Sequence, residues 1–283
     1  MVRIFADSTC DLSPELIERY HIGIIPLHVI LGDEDYLDGQ NITPDGIYAW
    51  ADEHKTTPKT AAVSMDDVMQ ALSPALDAGD EAVCFAISSS MSTTVNVFNL
   101  AVDELGAQDR VSVVDSQNLS TGGGLLVVEA AQMAEAGMNR SQIVGQVTAL
   151  RPRVRASFVV DTLTYLHRGG RCSGLAALAG GALRLHPRIS VREGKMQAEK
   201  KYRGRMNHVI LAYAQDMESD LLAAKPEHVF ITHSGCAQED IDAVCAYIRG
   251  LGRFEQVHVT RAGGVISSHC GPGTLGVLFI AGE

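Results

Sequence analysis

The chain has 283 residues, which is material for about two domains. Its 34 acidic and 23 basic side chains give a net charge of -11. That balance argues against a nucleic-acid partner, because phosphate contact depends on clustered Lys and Arg, and it disfavours docking on an anionic membrane. At 46% hydrophobic and 20% charged, the chain is globular rather than disordered, and only 5% aromatic residues leave few stacking platforms for bases or sugars.

The longest strongly apolar run, 174–183, is about half of the roughly 20 residues a bilayer-spanning helix needs. The N-terminus reads directly as a strand and turn with no export signal, so a cytoplasmic protein is expected. The six cysteines contain no C-x-x-C pair, which points to reduced thiols and no zinc site.

In chain order, 2–6 reads as a short apolar strand, and Ser13-Pro14 as an N-cap with proline at the first helical position. A second strand is expected over 24–31, and Thr43-Pro44 repeats the helix-start device. Ser64 and Asp67 form a capping-box pattern that opens a helix to about Ala78. Strands are expected at 82–87 and 111–114, with helices over 94–105, 125–136 and 142–150. Apolar strands alternating with helices imply a parallel sheet covered on both faces.

The second half changes character. A strand at 156–160 leads to a short helix at 163–168, then a small-residue helix near 174–184. Segments 188–192 and 195–202 flank Glu193-Gly194, which is a hairpin signal. A long helix (206–223), a strand (229–232), a helix (241–248) and strands at 257–261 and 276–281 follow. The fold class is α/β. A parallel domain (1–152) is expected to precede a mixed, partly antiparallel domain (153–283).

Polar residues recur where the predicted strands end: Asp7-Ser8-Thr9, Asp115-Ser116, Asp161-Thr162, and the run from Ser88 to Thr94. In open α/β sheets ligands gather at the carboxyl ends of strands, and hydroxyls at a helix start favour anions. The same residues equally serve as caps for the helices and turns that follow. Gly271-x-Gly273-x-x-Gly276 matches a dinucleotide fingerprint in letters, but no helix and acidic residue follow, so it reads as a turn. No nucleophile elbow, Walker A loop or H-E-x-x-H is present. Arg168-Gly169-Gly170-Arg171 offers two guanidinium groups on a flexible loop, Arg203 follows the hairpin, and His269 sits in a glycine-rich turn. His28, His233 and His258 fall within strand patterns and read as packing residues.

Together these pieces resemble the DegV family of bacterial lipid-binding proteins from end to end. The likeness runs through Asp7-Ser8-Thr9-Cys10-Asp11-Leu12, Pro26-Leu27 with Tyr36-Leu37-Asp38, the Ser88–Thr94 loop and Asp115-Ser116. It continues through Asp161-Thr162-Leu163-Thr164-Tyr165-Leu166 to Gly169-Gly170-Arg171, and ends in His269-Cys270-Gly271-Pro272-Gly273-Thr274-Leu275-Gly276. The resemblance implies a two-domain α/β carrier that holds one long-chain fatty acid between its domains, with no other cofactor and no metal. It implies that a separate fatty-acid kinase phosphorylates the carboxylate, so that the carrier has no catalytic residues of its own.

By motif match, Thr60 and Ser92 hold the carboxylate. Arg203, His269 and Thr94 lie near the headgroup, and Arg171 serves the headgroup or the kinase. The chain departs from the family pattern where T-S-Q-P-S becomes Thr60-Ala61-Ala62-Val63-Ser64 and where S-G-T becomes Ser92-Thr93-Thr94. His186 stands where a lysine before proline is common. The 175–185 segment and the 277–280 strand are expected to line an aliphatic tunnel. Two other readings remain: an enzyme acting on small acyl or phosphorylated substrates at the same cleft, and a binding module for another anion in a short polar pocket.

Overall fold

The structure is a computed structural model and describes residues 1–171 and 185–282. The expected small-residue helix near 174–184 lies outside them. The first half contains β1 (Val2–Asp7), α1 (Pro14–Arg19), β2 (Gly23–Ile25), β3 (His28–Leu31), β4 (Glu34–Leu37), α2 (Pro44–His54) and β5 (Lys59–Ala61). It continues with α3 (Met65–Asp77), β6 (Glu81–Ala86), α4 (Thr94–Glu104), β7 (Val111–Asp115), α5 (Ser120–Glu135) and α6 (Arg140–Leu150). The second half contains β8 (Val154–Val159), α7 (Thr164–Arg168), β9 (Leu185–Arg192), β10 (Lys195–Arg203), α8 (Met206–Gln215) and α9 (Glu218–Leu222). It closes with β11 (Ala224–His233), α10 (Gln238–Gly250), β12 (Gln256–Arg261), α11 (Gly264–Cys270) and β13 (Leu275–Ala281).

The local signals act as expected. The Ser13 and Thr43 side chains accept from Leu16 N–H and Gly46 N–H, and Ser64 and Asp67 close a capping box. Glu193 and Gly194 both have positive φ, as a two-residue hairpin turn needs. A parallel sheet runs β2-β1-β6-β7, and a mixed sheet runs β10-β9-β8-β13-β11-β12, in which β11 and β12 are parallel and the other neighbours antiparallel. Both faces of the parallel sheet are covered. Val83 and Phe85 of β6 pack with Leu125 and Leu126 of α5, while Ala82, Cys84 and Ala86 pack with Leu72 of α3 and Phe98 of α4.

The strand expected over 24–31 is two strands in two sheets. Pro26 has no N–H for a ladder, and Leu27 N–H donates to Ser8 Oγ at 3.1 Å, so β2 ends and β3 begins a separate antiparallel sheet, β4-β3-β5. The helix expected over 206–223 is α8 and α9. The Asp216 carboxylate between them accepts from Tyr202 Oη at 2.7 Å and pairs with Lys200, while Met217 is buried beside Ser157 Oγ. His269, expected in a glycine-rich turn, lies on α11. The first N–H groups of this helix are capped by distant carboxylates: Gly263 N–H donates to Asp11 Oδ1 at 2.8 Å and Gly264 N–H to Asp38 Oδ1 at 2.6 Å.

Helix α5 begins at Ser120, five residues before the expected position. Its first twelve residues are all buried, and it lies between the sheets, against β1 and β6 on one side and β8, β11 and β13 on the other. Two glycines make that fit possible. A Cβ on Gly122 would sit 3.0 Å from Ala156 Cβ, and one on Gly124 would sit 2.6 Å from the Cys10 carbonyl and 2.9 Å from Leu12 Cδ2.

A Gly124→Ala variant should therefore lose about 1–3 kcal/mol through overpacking against backbone. Gly145→Ala in α6, where a Cβ meets nothing within 4 Å, should instead gain about 0.5–1 kcal/mol. Urea midpoints check both, and shifts of the same sign would contradict this account of α5.

Candidate functional site

A cavity of about 550 Å³ opens between the two large sheets, in the range of small-ligand sites. From the first half it is lined by Leu27, Thr60, Ala61, Ala62, Ile87, Leu119, Ser120 and the 89–93 loop. From the second half come Ser157, Phe158, Leu166, Arg171, Met196, Thr232, His233, Ser234 and Leu278, together with Val265, Ile266, His269 and Cys270 of α11.

Most hydroxyls on this wall are occupied by the protein. Ser120 Oγ donates to Asp11 at 2.5 Å, Ser157 Oγ lies 2.9 Å from Tyr213 Oη, and Thr232 Oγ1 lies 2.6 Å from Thr121 Oγ1. Ser234 Oγ donates to the Gly271 carbonyl at 2.5 Å and Thr274 Oγ1 to the Cys270 carbonyl at 3.0 Å. With their donors turned inward, these residues present mainly carbon to the cavity. The wall is thus largely apolar despite its serines and threonines.

The polar strand ends are ties. Asp7 accepts from Thr9 N–H, Thr9 Oγ1 and Ile87 N–H, and Asp115 accepts from Ser89 Oγ and Gln117 N–H. Ser88 Oγ crosses to the Gly194 carbonyl at 2.7 Å and so pins the 193–194 hairpin onto the serine loop. Of the two sequence readings for these residues, capping accounts for Asp7 and Asp115, which do not line the cavity. Burial pushes the carboxyls of Asp7, Asp11 and Asp38 up, Asp7 to about 6.

Thr60, Ser92, Arg171 and His269 all line the cavity. Thr60 Oγ1 lies 2.7 Å from His269 Nε2, a contact between β5 and α11. Ser92 Oγ lies 2.8 Å from Thr94 Oγ1 and accepts from Thr94 N–H at 3.3 Å; Thr94 is fully buried beneath it. Arg171 donates through Nη1 to the Gly169 carbonyl at 2.7 Å and through Nη2 to the Met91 carbonyl at 3.5 Å, reaching across from one half of the chain to the other. Arg203 is exposed at the end of β10, paired in register with Leu185, and is not on the cavity wall. Leu278 represents the 277–280 strand on the wall. Of the 175–185 segment only Leu185 lies within the described residues.

His233, set aside as a packing residue, also lines the cavity, and its Nδ1 is buried with no partner among the described residues. It ends β11 as Asp7 ends β1, so the strand-end pattern could have flagged it. His186 is buried between the Val160 and Gly204 carbonyls, at 3.3 and 3.2 Å from its ring nitrogens.

Burial, followed by the charge of Arg171, pushes His269 down to about 4, so at neutral pH its ring carries a single proton. His269 Nδ1 is buried with no partner among the described residues. A proton there would be a stranded donor, whereas a proton on Nε2 is donated to Thr60 Oγ1. That tautomer leaves the Thr60 O–H free for something in the cavity. Among the described residues no group of His, Cys, Asp and Glu is placed to hold a metal ion, and no described helix is long and apolar enough to cross a membrane.

The model of the DegV family, described as uncharacterised proteins, matches residues 1–282. The chain belongs to the DegV family. A DegV domain-containing protein of Deinococcus radiodurans is 32% identical over 288 residues, covering 98% of this chain and 97% of the relative. A DegV family protein of Thermus thermophilus, solved in a study of its fatty acid binding, has a TM-score of 0.91 and 30% identity over 99% of both chains. A stearic acid-binding protein of Eubacterium ventriosum has a TM-score of 0.85 and 26% identity, over 99% of this chain and 98% of its own. The parallel and mixed sheets expected from the sequence are thus those of the DegV fold.

The neutral His269 gives a pH prediction. Its value in the fold lies below the ordinary 6.5, so from about 6.5 down to about 4 the unfolded chain binds a proton that the fold does not. Stability from this group is complete above that window and is lost as pH falls through it. Asp7 runs the opposite way: its contribution is present below the ordinary 3.8 and is lost as pH rises through about 6. A His269→Gln variant should retain the Asp7 slope but lose part of the acid-side decline between pH 6.5 and 4.5. Urea midpoints against pH would show this, and parallel curves would refute it.

Proposed function

We propose that the chain binds a long-chain fatty acid in the cavity between its sheets, with the carboxylate at Thr60 and Ser92 and the acyl tail along the apolar wall. The observation that carries this reading is the division of the hydroxyls. Most of those along the wall are bonded inward, while Thr60, through the His269 tautomer, has a donor to give. Ser92 supplies a second donor when Thr94 donates to it.

A carboxylate leaving water needs such donors, or its desolvation costs several kcal/mol. Each buried CH₂ of the tail contributes about 0.8 kcal/mol, and association and ordering costs offset part of the total. The fatty acid binding of the Thermus thermophilus relative, at 30% identity, supports extending the ligand class to this chain. No cofactor is needed.

The protein on this reading is a carrier. A separate fatty-acid kinase would phosphorylate the presented carboxylate for lipid synthesis, which places the cycle in the cytoplasm. Residues 1–152 would act as the domain carrying the headgroup hydroxyls and 153–283 as the domain contributing much of the tunnel, with Arg171 and the exposed Arg203 available to the headgroup or the kinase. The enzyme reading is weaker, because among the described residues no third group orients Nδ1 of the Thr60–His269 pair, as nucleophilic catalysis generally requires. A short polar pocket for another anion fits poorly with a carbon-faced wall.

Protein purified from bacteria should carry fatty acid in native mass spectra. Thr60→Ala and Ser92→Ala should each weaken binding of a C16 acid roughly 10-fold or more, as expected for losing a hydrogen bond to a charged group. A wild-type cavity that is empty and refuses added fatty acid would sink the proposal. Acyl phosphate should form only when the kinase and ATP are added; turnover of acyl esters by the isolated protein would favour the enzyme instead.

A further inference from the structure

Two adjacent glycines follow α7, and the backbone gives each a different reason to be glycine. Gly170 has φ of +70°, and a Cβ there would meet nothing within 4 Å, so its requirement is conformational. Gly169 has φ −72° and ψ −3°, a helical conformation open to any residue. Its requirement is space. A Cβ on Gly169 would collide with His269 Nδ1, and would lie 3.0 Å from His269 Cε1 and 3.1 Å from the Tyr165 carbonyl. The His269 ring is therefore seated against the Gly169 backbone at Nδ1 and against Thr60 at Nε2. Gly169 is itself fixed: its N–H donates to the Tyr165 carbonyl at 2.8 Å, and its carbonyl accepts from Arg171 Nη1 at 2.7 Å.

We propose that Gly169 is a positioning residue that sets the proton on His269 and, through it, the direction of the Thr60 hydroxyl toward the acyl carboxylate; this role in binding rests on the fatty-acid reading. The Gly169 backbone closes on Nδ1, and among the described residues no acceptor reaches it, so a proton there has nothing to bond to. The ring proton stays on Nε2 and is donated to Thr60, whose own O–H is left for the ligand. With Nδ1 opened to water, the proton could move to Nδ1, and Nε2 would become an acceptor. The Thr60 O–H would then turn to His269 and offer a carboxylate only lone pairs. Gly169 touches neither the hydroxyl nor the ligand; it acts through His269.

The test combines ¹⁵N imidazole spectra of ligand-free protein with calorimetric titration of palmitate. Gly169→Ala should displace the ring, shift the His269 signals away from a pure Nε2–H tautomer, and weaken palmitate about tenfold, the loss of one charge-assisted hydrogen bond. Gly145→Ala, where a Cβ meets nothing within 4 Å, should leave both readouts unchanged. In a His269→Ala background, Gly169→Ala should add no further loss, because the two residues act as one unit. An unchanged imidazole spectrum in Gly169→Ala, a shift of equal size in Gly145→Ala, or additive losses in the double variant would overturn the proposal. If Gly169→Ala alone does not fold, the double variant, which lacks the obstructing ring, should; its failure to fold would equally overturn it. If wild-type protein refuses palmitate, the fatty-acid reading fails, and the spectra still decide whether Gly169 positions the ring.

Discussion

Everything in this molecule is arranged around α5, a helix with no solvent face over its first three turns. It can lie between two sheets only because Gly122 and Gly124 let the Cys10 carbonyl, Leu12 and Ala156 approach closer than any side chain allows. The core residues of β1, β6 and β7 meet those of β8 and β13 across it in one apolar cluster. The cavity opens at its N-terminal end, where Leu119 and Ser120 form part of the wall. A bulkier helix would hold the sheets apart and change the cleft.

Buried carboxylates complete the frame. Asp11 joins the start of α5 to the start of α11, and Asp38 joins the Ser8 turn to the same α11 terminus. Negative charge near a helix N-terminus is favourable, and these carboxylates accept hydrogen bonds that offset part of the cost of burial. The result seats His269, on α11, against β5 and Thr60. A short helix from the end of the chain thus carries a central residue of a site whose other wall comes from its beginning.

The site works by subtraction. Its wall holds many hydroxyls, yet pairing within the protein removes most of them from chemistry, and only a few are left as donors toward the cavity. The departures at Ala61, Ala62 and Thr93 from the usual family residues fall on the cavity wall, while the hydroxyls of Thr60 and Ser92 remain. Small substitutions at the rim therefore leave the donor arrangement standing.

Sequence alone determined what acts over a few residues. The caps at Ser13, Thr43 and Ser64 and the Glu193-Gly194 hairpin were legible because each is satisfied by its near neighbours, and the apolar runs of β6 and β13 because an unbroken apolar strand marks burial by its composition alone. The residues gathered at the cavity were legible as family motifs, though their partners were not. Only the tertiary structure decided that Pro26 moves the chain to another sheet, that 264–270 is a helix, that α5 begins among its glycines, and that His233 reaches the wall. The reason is the reach of the interactions. Asp38 meets Gly264 across 226 positions and Thr60 meets His269 across 209, and a contact of that span has no local pattern to announce it.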